Sequence, residues 1–443
     1  MVRREGKKNN FLGKETAMKN VNGYIQEIQS GAYDARLLEI YVDEKKLPYQ
    51  AKRYQDALFK FRELFGEKEV SVYSAPGRSE VCGNHTDHQQ GHVLAAGINL
   101  DAIGVAAAIS KKVVRLVSGD APMIECSLEQ LAPVEEEKGS TAALIRGVAA
   151  GLAERGYEVG GLEVYVTSDV PMGAGMSSSA AFESLIGTIF SGSYNHMQVS
   201  CVDIAKIGQY AENVYFGKPC GLMDQMACSV GGMVYIDFAD TQQPLVRQVP
   251  ADFEGHCYSL CIVDTKGSHA DLTEDYAAVP EEMKAAAAYF GKECLREVEE
   301  KEFFANIAGL RAKTGDRAVL RAIHFYSEQG RVSRAVKALE EDDFEGFLHE
   351  ISASGASSQK YLQNIYSPRN PYEQSIAVAL AVSEYYLKDN GVCRVHGGGF
   401  AGTIQAFVKN DAVDGYRRAI EAVFGEGVCK VLKVRPYGGI CVM

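Results

Sequence analysis

Three stretches of this chain gather side chains able to handle a phosphoryl group and a polyhydroxylated acceptor. The first is Pro171-Met172-Gly173-Ala174-Gly175-Met176-Ser177-Ser178-Ser179-Ala180-Ala181. Glycines let the backbone approach an anion closely. The serines supply hydroxyl and N–H groups where a helix begins, and a helix N-terminus carries free N–H donors and the positive end of the macrodipole, so a triphosphate belongs there. The run has no lysine and is not a GxxxxGK[ST] loop. GAG alone would be a glycine turn with a Ser N-cap; the whole run behind an alternating strand is more specific. Ser179 can ligate Mg²⁺. Glu183, four residues on, shares its helix face and is either a second cation ligand or a solvated carboxylate.

The second stretch, Ala75 to His88, carries Arg78, Glu80, Asn84, His85, Asp87 and His88 around Gly77 and Gly83. Such a turn suits a sugar, whose adjacent hydroxyls are bound by groups that accept or donate several hydrogen bonds at once. Asp87 can accept from two hydroxyls and His85 can donate or accept. The two point the same way only if the segment is extended. A metal site from His85, Asp87 and His88, or a plain surface loop, are the competing readings. The third stretch, Gly217-Lys218-Pro219-Cys220-Gly221-Leu222-Met223-Asp224-Gln225-Met226, sets one acid in apolar surroundings, where a charge made only for solubility is out of place. Buried, Asp224 needs a partner, and Arg78 is the obvious one. An Asp beside an Arg can align an acceptor hydroxyl or take its proton; a helix N-cap is the bland alternative. A second glycine cluster, His396 to Gly402, marks a close backbone approach and is weak by itself.

The elements that must position these groups follow from apolar spacing. Residues 1–50 read as a polar, irregular, loosely packed extension. A helix is expected over Ala51–Phe65, then a short strand ending in the turn at Gly77. Strands are expected in HVLAAGINLDAIGVAAAIS and KVVRLVSGD, a helix over Thr141–Arg155, and a strand in GGLEVYVTSDVP. Helices follow from Ser178 and over Cys201–Tyr215, and a strand in MVYIDF. A composition change at Gln242-Gln243-Pro244 marks a boundary near 250. Beyond it come the strand YSLCIVDT, helices from 280 to 390, and a strand–helix–strand ending. Strands and helices mix without strict alternation, so the fold class is α+β in two domains, 51–250 and 251–443.

Composition narrows the function. The formal net charge of −12 argues against nucleic acid or an anionic membrane as partner, both of which want a basic footprint. No run of about 18 apolar residues suggests a membrane span, and the basic first residues lack the apolar core of a secretory signal. The 11 cysteines are scattered without a CxxC pair, which reads as reduced thiols rather than disulfides or a zinc site. A cytoplasmic, monomeric enzyme is the expectation.

Taken in order, these segments resemble the GHMP kinase superfamily and, within it, the galactokinases. The signature GRxNxIGEHTDYxxGxVLP stands here as GRSEVCGNHTDHQQGHVLA, PxGxGLSSSA as PMGAGMSSSA, PCGIMDQ as PCGLMDQ, and GGGFGG as GGGFAG. The likeness runs from about Ala51 to the end. It implies an N-terminal domain of ribosomal-protein-S5-like fold, a ferredoxin-like C-terminal domain, and a site between them that uses ATP and Mg²⁺ to phosphorylate the anomeric hydroxyl of D-galactose. By the same resemblance, Asp224 is the catalytic acid/base group and Arg78 lowers its pKa and stabilises the transferring phosphoryl group. His85, Asp87, the Gly221 backbone and Tyr276 contact the sugar. Gly173, Ala174, Gly175, Met176, Ser177, Ser178 and Ser179 bind the triphosphate, with Ser179 and Glu183 on the metal. Departures stand out. Asn84 replaces a Glu expected at the sugar's 6-hydroxyl, and Glu80 replaces an Asn, so the carboxylate has moved within the loop and both residues are expected at the sugar. His88 replaces a Tyr. HTDHQ is also similar to the HIDHQ of plant galacturonate kinases, which makes a C6-acid sugar the alternative substrate. Thr141 and Leu144 replace an aromatic pair at the adenine end. A non-catalytic sugar sensor is the remaining alternative, one that would be free to lose Asp224, Arg78 and the serines.

Overall fold

The computed structural model describes residues 18–173, 175–268 and 271–443. Its first sheet runs in the order β1 (Lys19–Asn20), β2 (Glu69–Cys82), β3 (His92–Ile109), β6 (Gly161–Ser168), β4 (Val113–Ser118), β5 (Ile124–Ser127), with β7 (Met233–Asp237) on β3 and β8 (Leu245–Val249) on β7. All pairs are antiparallel except β4 with β6. The second sheet orders β10 (Gly391–His396), β11 (Thr403–Lys409), β9 (Tyr258–Asp264) and β12 (Cys429–Leu432), all antiparallel. The α+β class is as expected, and it is built on two sheets.

Helices cover both faces of the first sheet. On one lie α4 (Thr141–Glu154), α5 (Ser178–Asn195) and α6 (Cys201–Tyr210), packed through Ile145, Leu185, Ile189 and Ile207 against Leu116, Val164 and Val166. On the other lie α1 (Val21–Gln29), α2 (Asp34–Tyr41) and α3 (Leu47–Phe65), with Tyr24, Ile40 and Phe61 against Val72, Ile103 and Val105. Helix α7 (Met223–Val230) buries Met226 and Ala227 beside Val93 and Val234. In the second half, α8 (Thr273–Tyr289), α9 (Glu300–Ala305) and α10 (Ile307–Thr314) pack on α11 (Asp316–Glu340), while α12 (Phe344–Ser357) lies between α11 and the second sheet. Helices α13 (Ser375–Leu387) and α14 (Val413–Phe424) cover that sheet's other face. One apolar cluster joins the halves: Val81, Leu94 and Ile98 meet Leu260, Val332, Phe347 and Phe407.

Three expectations are corrected. Residues 18–50 are not an irregular extension. In α1, Val21, Tyr24, Ile25 and Ile28 recur at helical spacing and are buried, so this segment forms part of the core. Strand β2 does not stop in a turn at Gly77. It continues to Cys82 with irregularities between Pro76 and Arg78 and between Glu80 and Cys82, and carries the polar constellation into the interior. The C-terminal segment does not stay with the second sheet: β13 (Ile440–Cys441) pairs with β2, and Met443 is fully buried under α1–α3.

Candidate active site

Arg78, near the end of β2, forms a fork with Asp224, the second residue of α7. Its Nε donates to Oδ1 at 2.7 Å and its Nη2 to Oδ2 at 2.8 Å. Ser177 Oγ also donates to Oδ2, and Arg78 Nη1 donates to the Gly175 carbonyl. One ion pair therefore fixes a strand, a helix and the Gly/Ser run together. Burial alone raises the Asp224 carboxyl, but the charge and hydrogen bonds of Arg78 outweigh it and hold the group below its ordinary range. The Arg78 side chain is 8% exposed and that of Asp224 33%, so the carboxylate reaches solvent with the guanidinium beneath it. Gly77 allows the approach: a Cβ there would lie 2.8 Å from the Met176 carbonyl oxygen, which accepts from Arg78 N.

The Gly/Ser run turns through Gly173 (φ 74°) and Gly175 (φ 69°) into α5, with Ser177 held in the left-handed region (φ 57°). That conformation costs a serine about 1 kcal/mol and persists only where the surroundings enforce it. Ala174 lies outside the described residues. Ser178 and Ser179 open α5, as expected of a phosphate-binding N-terminus. Met176 is 1% exposed and packs with Val170 and Ala180, and its carbonyl accepts from Arg78 N. Gly175 faces the two ends of the second glycine cluster, since a Cβ there would meet His396 Nδ1 at 3.5 Å and, just past the cluster, Thr403 Oγ1 at 2.8 Å.

The cation pair expected from Ser179 and Glu183 is corrected. Ser179 Oγ donates instead to Glu212 Oε1 at 3.2 Å. Glu183 is buried under that group, neither solvated nor facing the loop. Gln225 Nε2 donates to Glu183 Oε2 at 3.0 Å and to Glu212 Oε2 at 2.9 Å, while Glu183 Oε1 has no partner. Burial, and then the neighbouring Glu212 charge, push the Glu183 carboxyl up to about 9, so it stays protonated at neutral pH and is a poor cation ligand. Lys218 Nζ reaches Glu212 Oε1 at 3.1 Å. Ser179 and Glu212 thus offer a hydroxyl and a carboxylate at the helix N-terminus. Among the described residues no cluster of three His, Cys, Asp or Glu side chains is arranged to hold a metal. A Mg²⁺ ion needs few protein ligands when phosphate oxygens supply others, and this pair fits one.

On the acceptor side, Asp87 faces Gly221, three residues before Asp224: a Cβ on Gly221 would sit 2.4 Å from Asp87 Oδ2. Burial raises the Asp87 carboxyl despite the nearby His85. His85 is not extended. It adopts φ 58°, with Asp87 following in a short 3-10 turn (Asp87–Gln89), and His85 Nε2 donates to the Gly398 carbonyl at 2.9 Å. Tyr276 Oη donates to the Gly399 carbonyl at 2.8 Å. The second glycine cluster is thereby a wall of the site, carrying both rings.

Glu80 and Asn84 are corrected as sugar ligands. Asn84 is fully buried, its Nδ2 donating to the Glu80 carboxylate at 3.0 Å and to the Gly397 carbonyl at 2.7 Å. Its Oδ1 accepts from Asn364 at 2.8 Å. Glu80 is 4% exposed and accepts from Arg394 at 2.9 Å. Both residues brace the loop from behind. Sequence reasoning missed Glu212, Gln225 and His396. The last is buried, hydrogen-bonded to Ser79 at 3.1 Å and Thr403 at 2.8 Å, and held neutral by burial and Arg78. Glu212 had a signal, an acid just before the GKPCG turn; Gln225 ends the PCGLMDQ motif and His396 opens the second glycine cluster, but neither residue type pointed to a role of its own.

Comparison with known proteins agrees with this geometry. The family model "GHMP kinases N terminal domain" matches residues 143–232, and "Galactokinase galactose-binding signature" matches residues 60–108. The galactokinase of Streptomyces coelicolor is 31% identical over 382 residues, covering 85% of this chain and 94% of that protein. That of Actinobacillus pleuropneumoniae serotype 3 is 32% identical over 373 residues, covering 83% and 93%. The crystal structure of Lactococcus lactis galactokinase complexed with galactose superposes with a TM-score of 0.73 at 27% identity, covering 86% of this chain and 98% of the other. Methanococcus jannaschii mevalonate kinase, at TM-score 0.58 and 15% identity over 82% of this chain and 98% of its own, shares the fold alone.

Proposed function

This chain belongs to the galactokinase family of the GHMP kinases, and from that premise we propose that it transfers the γ-phosphoryl group of ATP to the anomeric hydroxyl of D-galactose. The observation that carries the reading is the Arg78–Asp224 fork, tied by Ser177 to the phosphate loop and lying three residues from the Gly221–Asp87 contact. Phosphoryl transfer asks the protein chiefly to align the acceptor and to stabilise charge on the transferring group. Asp224, kept ionised by Arg78, accepts the hydrogen bond of the anomeric hydroxyl and takes its proton as the new P–O bond forms. Arg78 holds that carboxylate in one orientation. Asp87 and His85 orient the ring hydroxyls. The N–H groups at the start of α5 hold the phosphates, and Ser179 with Glu212 would hold Mg²⁺, which supplies charge neutralisation when bound. A C6-acid sugar is favoured by one feature: the Glu80 carboxylate is spent on Arg394 and Asn84 and presents no charge to the acceptor.

The test is ADP release at fixed ATP and Mg²⁺ across galactose, galacturonate, galactosamine, N-acetylgalactosamine, arabinose and glucose, for the wild type and Asp224→Ala. Galactose is expected to give the highest kcat/KM, and Asp224→Ala to lose turnover by several orders of magnitude while keeping sugar binding. A preference for galacturonate above about tenfold, roughly 1.4 kcal/mol, moves the substrate to the acid. An Asp224→Ala chain with unaltered turnover removes the role given to Asp224, and a wild type that binds sugar but releases no ADP with any of them leaves the sensor reading.

A further inference from the structure

One cation at the phosphate loop has no part in the chemistry above. After α6 the chain makes a π-helical segment (Ala211–Phe216) and reverses at Gly217 (φ 82°), so that Gly217 N and Lys218 N both donate to the Glu212 carbonyl, at 3.0 and 3.1 Å. Lys218 then folds its side chain onto the same residue, Nζ to Oε1 at 3.1 Å. The Glu212 side chain is 4% exposed and that of Lys218 64%, so the ammonium caps a buried carboxylate and faces open solvent. Ser179 Oγ donates to that same Oε1. The ammonium therefore stands within two hydrogen-bond lengths of the second residue of α5.

Electrostatics at the loop makes this position consequential. Arg78 is committed on every side, to Asp224 and to the Gly175 carbonyl. Lys138, whose stem crosses Gly217, pairs with Glu135. Asp224 and Glu212 bring negative charge that a triphosphate must approach. A helix N-terminus supplies only about half an elementary charge, and phosphoryl transfer sites add a point cation to it.

We propose that Lys218 is a phosphate-binding residue of this site, its ammonium resting on Glu212 and passing to a terminal phosphate oxygen of the nucleotide when Glu212 is taken by a divalent cation. The assignment rests on the ATP-dependent kinase reading and adds to it a ligand for the phosphates that the Gly/Ser run lacks.

The experiment is calorimetric titration of ADP into wild type, Lys218→Met and Lys218→Arg, with and without Mg²⁺, beside steady-state kinetics. Thermal melting of each variant checks folding; if Lys218→Met melts low, Lys218→Gln takes its place. With Mg²⁺ present the neutral variant is expected to bind ADP about tenfold more weakly, to lose at least tenfold in kcat, and to keep the sugar KM; metal-free ADP, met while the ammonium still rests on Glu212, is expected to be weakened less. Lys218→Arg is expected to recover most of both. If ADP affinity stays within twofold in both conditions, the proposal fails. The same holds if removing the ammonium lowers only the Mg²⁺ concentration needed for activity, because the lysine then merely neutralises Glu212. A wild type that binds ADP yet phosphorylates no sugar overturns the kinase reading instead, and the ADP titrations still decide the role of Lys218.

Discussion

Gly221 and Asp87 approach so closely that no side chain fits between them, and this contact is where the acceptor pocket is most exposed to a single change. The backbone at Gly221 does not need left-handed torsions; what excludes alanine is the 2.4 Å separation between its Cβ and Asp87 Oδ2. Gly221→Ala is expected to push the Asp87 carboxylate aside, raising the sugar KM at least tenfold while the KM for ATP holds. An unchanged sugar KM would mean that Asp87 does not touch the acceptor. At this scale the sequence was informative wherever a residue acts through its own chemistry. Arg78, Asp224, Ser177 and Ser179 were identifiable from type and order, and the structure brings them together. Glu80 and Asn84 were not, because what turns them inward is Arg394, 314 positions from Glu80. The choice between Glu183 and Glu212 was hidden for the same reason: helical spacing favours Glu183, but only the packed structure buries it and leaves Ser179 to Glu212.

Among the elements, α2, α3, β2 and the C-terminal segment meet at Asp101 on β3. Its carboxylate is fully buried and accepts from Tyr41 of α2 at 2.7 Å, from Arg435 of the C-terminal segment at 2.9 Å, and from Arg53 of α3 and Ser74 of β2. The two arginines outweigh burial and hold this acid below its ordinary range. Removing one charge from such a group strands the others in the interior, which costs about 3–5 kcal/mol. Asp101→Asn, nearly equal in volume, is expected to lower the unfolding free energy by that amount in urea titrations. A loss under about 1 kcal/mol would show that α1–α3 and the C-terminal segment are held by apolar packing alone. The helices α3, α4 and α5 were legible because each repeats its buried residues at helical spacing. Helix α1 repeats them too, but is short and lies in a polar region, which masked it. The return of β13 to β2 was not legible, since nothing within residues 433–443 distinguishes a strand of one sheet from a strand of the other.

Over the whole molecule, the buried titratable groups set where the fold is most stable. Burial lowers His92, His324 and His396, and brings His88 down to about 3 with help from the His85 charge. The unfolded chain takes protons on these rings below about 6.5 while the native one does not, so stability is lost as pH falls from there. For His88 alone the loss between pH 6.5 and 4.5 is about 2 kcal/mol. Glu328, held at about 2 by His324, Arg394 and Arg331 against burial, adds to this only below about 4.5. Glu183 works in the opposite direction. Its native pKa of about 9 means that the unfolded chain gives up a proton the native chain keeps, so its contribution is present at low pH and fades as pH rises. Above about 7.5 the histidines hardly change, and Glu183 tilts the curve downward, by about 1 kcal/mol per pH unit. Below 6.5 four histidines oppose one glutamate and prevail. Without nucleotide or metal, urea unfolding from pH 5 to 8 is therefore expected to give a maximum near pH 7, a steep acid limb and a shallower alkaline one. Glu183→Gln should level the alkaline limb and leave the acid limb intact. Stability that is flat between pH 5 and 7 would mean that these histidines reach solvent in the native protein, and that the core joining the two sheets is open to water.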